Sequence, residues 1–472
     1  MRHEDYVRHD ATGLAELVRR REVSAAELLE AMAARVEAVN PAINAVVLER
    51  FAEARRAAGE LPEGPFTGVP YLIKDLHAPV RGLPLSHGSR FFAGSSFDFD
   101  SETVARLRRA GFNIAGRTNS PEFGMAATTE PALHGPARNP WNTAHSTGGS
   151  SGGAAAAVAS GMLPAAHATD SLGSIRIPAA CCGLLGLKPT RGRIPVGPHR
   201  GDANQGLSHE HCISRSVRDC ATILDATAGP DEGAPWFTAS PSEPFARLAR
   251  RDPGRLRIGL VTTDWHGEPV HPDCASAVEA AGALCTALGH EVAPASLSVE
   301  AEALLDCCWT ILLPGLAAII GRREAELGRP AGEEIEPLTR AVAARWGGTS
   351  AVEFQAALAR LNTLVRGIAR QFRAWDVVLT PTLPVPPLRP GELSMQTEDV
   401  DGFNAALGRL ATFTVLGSTT GQPAMNLPLH RSAEGLPIGV QAIARFAEDA
   451  VLLQLATQLE PHFLGLPAMA RG

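Results

Sequence analysis

The segment Ser146-Thr-Gly-Gly-Ser-Ser-Gly-Gly153 is the most unusual stretch of the chain, and it leads directly into the helix-forming run Ala154 to Ser160. A flexible glycine-serine linker would have no reason to continue into an apolar helix. A phosphate cradle is also disfavoured, because the segment lacks the GxxxxGK[ST] pattern and has no lysine beside it. The remaining interpretation is nucleophilic catalysis by serine.

Serine catalysis could use either of two arrangements here. Gly148-Gly-Ser-Ser-Gly152 satisfies GxSxG, but a nucleophile elbow requires a strand immediately before the serine. Residues 138–146 are instead polar and rich in turn formers, so the elbow is the second possibility. The favoured arrangement adds another serine cluster, Ala168 to Pro178, in which Ser174 follows Ser150 by 24 residues.

Lysine is rare in this chain, since only Lys74 and Lys188 occur among the 43 basic residues. A guanidinium cannot be deprotonated in a protein, so a lysine that must act as a base resists replacement by arginine. Lys74 ends an apolar run that begins at Gly68, and burial there would lower its pKa. A fall of roughly 3 pKa units toward neutrality corresponds to about 4 kcal/mol, which a desolvated strand end can supply.

The amino-acid composition indicates which class of protein this is and which kinds of partner it disfavours. The chain has 472 residues, of which 45% are hydrophobic and 20% charged, as is typical of a soluble globular protein and not of a disordered or collagenous one. Its formal net charge of -7 argues against nucleic acid or a phospholipid surface as the main partner. We therefore expect a small-molecule substrate.

The order of patterns along the chain predicts an α/β fold. Short apolar runs bounded by turns alternate with helical patterns, which indicates a sheet covered by helices on both faces. The runs predicted as strands are Val69 to Ile73, Phe112 to Ala115, Ile258 to Val261 and Val377 to Leu379, and the helical patterns include Thr103 to Ala110 and Ala277 to Leu288.

The same patterns suggest four segments. Residues 1–60 read as helical, with a capping box at Ser24 to Glu27 and a helix that ends at Asn40-Pro41. Residues 61–230 carry both serine clusters and Lys74, residues 231–255 read as a linker or surface excursion, and residues 256–472 complete the same α/β domain.

Cysteine and histidine spacing gives no sign of a metal. None of the eight cysteines shows CxxC spacing, and none of the 15 histidines falls in an HExxH pattern, so we expect no metal and no other cofactor. Reduced thiols and a polar first ten residues favour the cytoplasm. The most apolar run, Trp309 to Gly321, has 13 residues, fewer than the roughly 20 that span a bilayer, and is predicted to be a buried helix.

Taken in order, several further segments resemble the amidase signature family of Ser-Ser-Lys hydrolases over nearly the whole chain. Within the family, three stretches most resemble the bacterial branch of 6-aminohexanoate-cyclic-dimer hydrolases. The family segments are Gly116 to Phe123, Gly183 to Thr190, Arg215 to Asp219, Asp376 to Pro381, Gly421 to Ala424 and Gly435 to Gln441, and the branch segments are Thr128 to Pro131, Arg138 to Asn142 and Asp170 to Ile177.

This resemblance implies a fold and a set of roles. The fold would be a single large domain with a central twisted mixed β-sheet covered by helices on both faces. Ser174 matches the nucleophile, Ser150 the bridging serine after a non-proline cis peptide bond, and Lys74 the base. The backbone N–H groups of Ser171, Leu172, Gly173 and Ser174 match the oxyanion hole, and Met125, Thr128 and Leu172 are the predicted substrate contacts.

One residue departs from the family pattern, because Leu172 replaces the first glycine of the usual Gly-Gly-Ser. If that position needs a positive φ, leucine would be strained there; otherwise its side chain lines the pocket, which we favour. Asp170 and Arg176 are predicted to form a structural ion pair, and Lys188 a structural lysine. The histidines His145, His167 and His209 are predicted to be polar loop residues.

The expected activity is therefore that of a cytoplasmic, metal-independent hydrolase of carboxylic amide C–N bonds. Candidate substrates are linear or cyclic oligoamides and aryl amides, with carbamates and esters open to the same serine attack. We expect a monomer or homodimer. The alternative is an amidotransferase A-type subunit that hydrolyses glutamine and supplies ammonia to a tRNA-modifying partner.

Overall fold

A computed structural model describes residues 1–265 and 267–471 of the chain. Its strands form two sheets, one of eight strands in the order β4-β6-β5-β10-β11-β9-β7-β8 and one of three in the order β1-β3-β2. The strands are β1 (Val46–Glu49), β2 (Pro70–Lys74), β3 (Asn113–Thr118), β4 (Ala165–Asp170), β5 (Leu185–Lys188), β6 (His209–Ser214), β7 (Arg257–Leu260), β8 (Glu291–Pro294), β9 (Val377–Pro381), β10 (Ala424–Arg431) and β11 (Pro437–Ala444).

Both sheets are mixed, which confirms the predicted sheet type. In the larger sheet the pairs from β4 to β9 are antiparallel, while β7 pairs in parallel with both β9 and β8. In the smaller sheet β3 is antiparallel to β1 and parallel to β2. The predicted single central sheet is thus accompanied by a second one, and Lys74 ends a strand of the smaller sheet.

Seventeen α-helices lie between and around these strands in the described part of the chain. They are α1 (His3–Arg8), α2 (Ala11–Arg19), α3 (Ala25–Ile43), α4 (Phe51–Ala57), α5 (Glu102–Arg109), α6 (Gly152–Ala159), α7 (Arg176–Cys182), α8 (Val217–Thr227), α9 (Phe245–Leu248), α10 (Pro272–Ala287), α11 (Ala301–Leu327), α12 (Pro337–Trp346), α13 (Ala351–Gln371), α14 (Val400–Leu410), α15 (Thr414–Thr420), α16 (Asp449–Leu459) and α17 (Ala468–Arg471).

Most of the strands and helices named from the sequence are present, with two corrections near the N-terminus. The Ser24 to Glu27 capping box exists and starts α3, but that helix continues through Pro41 to Ile43. A proline so close to the end of a helix removes only one of its last hydrogen bonds. The segment read as helical also contains β1, whose residues Val46–Glu49 pair with β3.

The predicted buried helix is longer than its apolar run. It is α11, 27 residues long, and by length and composition alone it could cross a membrane. Of its most apolar window, 44% is buried inside the protein, and the helix packs against α12 and α13. The prediction of a buried helix is therefore only partly correct, because less than half of this window is buried and Gly315, Ala318 and Gly321 are exposed.

Two hydrophobic clusters support the sheets, and a third lies between helices. The first surrounds β7, β9, β10 and β11, and the second joins β2, β3, β4 and α6 to the N-terminal helices. The third contains side chains of α11, α12 and α14 together with Phe123 and Ile177. The cavity described below opens in this third cluster.

Candidate active site

Lys74 ends β2 and is completely buried, with 0% of its surface exposed. Its Nζ lies 2.7 Å from Ser150 Oγ and 2.9 Å from Thr169 Oγ1. Burial lowers the pKa of Lys74 well below its usual value, and the negative charges of Asp170 and Glu210 only partly oppose that shift. Desolvation penalises the ammonium form, so the environment favours a neutral amine.

Ser150 is held at the start of α6 by its neighbours. The Gly149–Ser150 peptide bond is cis, as the resemblance implies. The next residue, Ser151, donates its hydroxyl to the carbonyl of Thr169 at 3.2 Å and accepts from the Thr169 N–H at 3.3 Å. These two bonds fix the serine-rich turn against the end of β4.

Ser174 lies in the loop 171–174, which connects β4 to α7, and it is half-buried. It lines the same cavity as Ser150, Thr169, Ser171 and Leu172. The structure therefore brings the two predicted serines to one cavity, although 24 residues of sequence separate them. Thr169, the second residue whose hydroxyl contacts Lys74, lines the same cavity.

An ion pair organises this loop. Arg176 donates two hydrogen bonds to the Asp170 carboxylate, at 2.8 and 2.9 Å, and both side chains have 0% exposure. The same carboxylate accepts the backbone N–H groups of Gly173 at 2.8 Å and Ile175 at 3.1 Å. The ion pair predicted from the sequence is present, and it holds the loop closed over the carboxylate.

These bonds reduce the number of backbone N–H groups that could form the predicted oxyanion hole. The Gly173 N–H is already donated to Asp170, so it is not free for a substrate. The candidates that remain are the N–H groups of Ser171, Leu172 and Ser174. Gly173 also has a φ of 138°, a conformation in which a side chain would be strained.

The backbone conformation of Leu172 shows whether the position that is usually glycine needs a positive φ. It is not among the non-glycine residues with positive φ, so leucine is unstrained at this position. Its side chain lines the cavity, as favoured above, and its carbonyl accepts a hydrogen bond from the Thr414 hydroxyl.

The opposite part of the cavity wall is apolar. Side chains spaced three or four residues apart on α11 line it, including Trp309, Leu313 and Leu316, together with Phe403 and Leu407 of α14. A smaller polar part of the wall includes His77, Arg200, Asn204 and Ser208. Such a combination of apolar surface with a few polar groups is typical of small-molecule sites.

Of the two other predicted substrate contacts, Met125 and Thr128, one lines the cavity and one does not. Met125 lines the cavity, but Thr128 is not among the residues that line it. The Thr128 hydroxyl is buried and donates to the carbonyl of Leu393 at 3.2 Å. Its hydrogen bond places it in a structural contact between two segments.

The prediction that His145, His167 and His209 lie in loops is wrong for two of the three. His167 lies in β4 and His209 in β6, and both are buried. The His167 ring lies 3.4 Å from Glu210 and also accepts the Lys74 backbone N–H at 3.4 Å. His145 does lie outside helices and strands.

Some residues around the site escaped the sequence analysis. Thr169 contacts Lys74, and the apolar wall comes from α11 and α14. The position of Thr169, immediately before Asp170 in the second serine cluster, was the only local signal for it. The apolar run Trp309 to Gly321 predicted a helix but not the cavity that this helix lines.

Comparisons with known proteins identify the relatives of this chain. A family model described as Amidase matches residues 27–453. A 6-aminohexanoate-cyclic-dimer hydrolase of Pseudomonas sp. (strain NK87) is 41% identical over 475 residues, which cover 98% of this chain and 96% of that protein.

Solved structures give the same relationship. A 6-aminohexanoate cyclic dimer hydrolase complexed with substrate superposes with a TM-score of 0.93 at 40% identity, covering 98% of this chain and 99% of that chain. A bacterial aryl acylamidase belonging to the amidase signature enzymes superposes with a TM-score of 0.88 at 27% identity, covering 98% of each chain.

Proposed function

The chain belongs to the amidase signature family and is an amidase, and from that premise we propose that it hydrolyses carboxylic amides through Ser174, Ser150 and Lys74. One observation carries this proposal. The buried amine of Lys74 lies 2.7 Å from Ser150 Oγ, and Ser150 shares a cavity wall with Ser174.

The proposed proton path begins at Lys74. A neutral amine has a lone pair that can accept the Ser150 hydroxyl proton, while Ser150 Oγ accepts the proton of Ser174. Ser174 Oγ then attacks the amide carbonyl carbon, since a serine hydroxyl is a weak nucleophile until a base removes its proton. The result is a tetrahedral intermediate with a negatively charged oxygen.

The intermediate then loses the amine. The N–H groups of Ser171, Leu172 and Ser174 would stabilise the oxyanion, and one such donor is typically worth roughly 3 to 4 kcal/mol. Return of the proton through Ser150 to the amide nitrogen allows the C–N bond to break and the amine to leave. Water then attacks the acyl-enzyme by the same proton path, which releases a carboxylic acid and restores Ser174.

The proposed substrates are linear or cyclic oligoamides and aryl amides. Two observations support them: the apolar wall formed by α11 and α14, and the similarity to a hydrolase of a cyclic amide dimer and to an aryl acylamidase. Carbamates and esters present a carbonyl that the same serine could attack. All eight cysteines are free thiols, which supports a cytoplasmic location.

A hydrolysis panel with one matched pair of variants tests this function. The panel contains the cyclic dimer of 6-aminohexanoate, a nitroanilide, an aryl carbamate, an aryl ester and glutamine. We expect Ser174→Ala to lower kcat/KM for the amides by at least about 1,000-fold, because removing the nucleophile removes covalent catalysis.

The control is Ser160→Ala, which removes another buried serine hydroxyl at the end of α6, where it bonds only its own helix. Ser160→Ala should keep the wild-type kcat/KM. Full amide hydrolysis by Ser174→Ala would contradict the mechanism. Hydrolysis of glutamine with no other amide cleaved would instead support the amidotransferase alternative.

A further inference from the structure

A cluster of metal-ligating side chains lies outside the cavity, where β6 meets α8. His211 and Cys212 belong to β6, and Cys220 lies in the first turns of α8. His211 Nε2 lies 3.4 Å from Cys220 Sγ and 3.7 Å from Cys212 Sγ, and the three atoms all lie within 4.8 Å of one another. All three residues are buried, with at most 3% exposed.

The spacing of these atoms matches that around a tetrahedral zinc ion. Zinc binds cysteine sulfur at about 2.3 Å and histidine nitrogen at about 2.0 Å, which sets the sulfur and nitrogen atoms about 3.5 Å apart. The sulfur-to-nitrogen distances of 3.4 and 3.7 Å in the cluster lie on either side of that value. Two thiolates also balance the charge of Zn²⁺, which a buried site requires.

The hydrogen bonds within this cluster compete for the same atoms, because each thiol contacts both the other thiol and Nε2 of His211. A neutral imidazole nitrogen has one lone pair, yet two thiols approach Nε2 of His211. The other ring nitrogen, Nδ1, is buried without a partner in the described part of the chain. A metal ion would give Nε2 and both sulfur atoms a bond each.

Tyr71 of β2 provides a further polar group beside the cluster. It is 1% exposed, and its hydroxyl has no hydrogen-bond partner among the described residues. Cys212 and Cys220 lie within electrostatic range of this hydroxyl. Its oxygen is therefore the candidate for a fourth ligand beside the three proposed ones.

We propose that His211, Cys212 and Cys220 form a structural zinc site that fastens α8 to β6. The site would brace the strand next to the catalytic loop, because β6 pairs with β4 and His211 lies opposite Ala168 in that pairing. None of its three ligands lines the cavity, so zinc here would hold the fold together and take no part in amide cleavage.

The zinc content of the full-length chain tests this site. The wild type is expressed in zinc-supplemented medium, dialysed against metal-free buffer without a chelator and analysed by inductively coupled plasma mass spectrometry. We expect about one zinc per chain, and at least a tenfold lower content in the double variant Cys212→Ser, Cys220→Ser. The matched control Cys274→Ser, Cys285→Ser removes two other buried thiols and should keep the metal.

Cobalt binding by the wild type keeps the proposal testable if the double variant does not fold. Refolding the metal-free chain with Co²⁺ should produce a near-ultraviolet thiolate-to-cobalt charge-transfer band. A wild type without zinc, equal zinc in the cluster variant and the control, or cobalt refolding without this band would each overturn the site. Because none of these readouts depends on catalysis, their failure would leave the proposed amidase mechanism untouched.

Discussion

The two lysines of the chain share complete burial but differ in what their amines contact. Lys74 Nζ faces two hydroxyl groups beside the cavity, whereas Lys188 Nζ donates to the carbonyl of Pro189 at 2.7 Å. Burial lowers the pKa of each amine well below its usual value. Desolvation alone therefore does not distinguish the proposed base from a structural lysine, and the proposed distinction depends on the Ser150 hydroxyl that Lys74 contacts.

Replacing each lysine separately should show this difference. We expect Lys74→Met to lower kcat/KM for an anilide by about 100- to 10,000-fold, the usual contribution of a general base. Lys188→Met should change kcat/KM only a few-fold, because its amine contacts only a backbone carbonyl. Equal losses in the two variants, measured on folded protein by steady-state kinetics, would show that the effect is structural.

The protonation state of Lys74 should determine how kcat/KM depends on pH. Below its pKa, Lys74 is an ammonium ion without a lone pair, so kcat/KM should fall as the pH drops through that pKa. Because burial lowers the pKa of Lys74, the enzyme should keep its activity at pH values where an exposed lysine is fully charged. Lys188→Met should retain this acid limb, and an acid limb at the ordinary pKa of lysine would contradict a desolvated base.

At the scale of elements, the turn from β4 into α7 depends on one buried carboxylate. Burial by itself would raise the pKa of Asp170, but the charge and hydrogen bonds of Arg176 lower it far below its usual value. The Arg176 guanidinium also donates to the carbonyl of Thr414 and to Gln441. The nucleophile loop, α15 and β11 therefore meet at this guanidinium.

The contributions of Asp170 and Arg176 to stability should not be additive. We expect Arg176→Met or Asp170→Asn to lower the free energy of unfolding by about 3 to 5 kcal/mol, since each leaves a buried polar partner without its counterpart. The double variant should lose less than the sum of the single losses. Urea unfolding measures all three values, and additivity within about 0.5 kcal/mol would mean that the two side chains act independently.

At the scale of the whole molecule, buried glutamates join segments that are far apart in sequence. The Glu336 carboxylate accepts from the Ala132 N–H and from the side chain of Gln396, each within 2.9 Å. Glu122 in turn accepts the N–H of Glu336 at 2.9 Å and the Thr339 hydroxyl. The segment after β3 is thus tied to α12, more than 200 residues later.

This junction predicts a pH-dependent stability. Burial, with the nearby Glu122, raises the pKa of Glu336 to about 7, so the folded state holds a proton that the unfolded state releases near pH 4.5. The contribution of protonated Glu336 to the free energy of unfolding is complete below the pKa that Glu336 has in the unfolded state. This contribution is lost as the pH rises through about 7. Glu336→Gln stays neutral, so its stability relative to wild type should increase between about pH 5 and about pH 8.

Urea midpoints across this pH range provide the measurement. Glu353→Gln is a suitable control, because that carboxylate is exposed and caps α13. If the midpoints of Glu336→Gln and wild type follow parallel curves with pH, Glu336 does not exchange its proton on unfolding.

Local sequence by itself determined much of this molecule. Apolar runs of strand length, helical periodicity and the Ser24 capping box depend on nearby residues, and the structure places β2, β3, β7, β9, α5 and α10 where these patterns predicted them. The two serine clusters and the rarity of lysine pointed to serine catalysis with a lysine base, and the family resemblance assigned the expected roles to Lys74, Ser150 and Ser174.

Only the tertiary structure decided which distant groups meet. Lys74 contacts Ser150 across 76 residues, His211 and Cys212 meet Cys220 between a strand and a helix, and α11 becomes a cavity wall. The strands that contain His167 and His209 were missed because their polar residues hide the apolar alternation. In the fold these histidine rings contact Glu210 and the carbonyl of Asp170, respectively. Backbone preference acts over a few residues, whereas packing and desolvation depend on the whole fold.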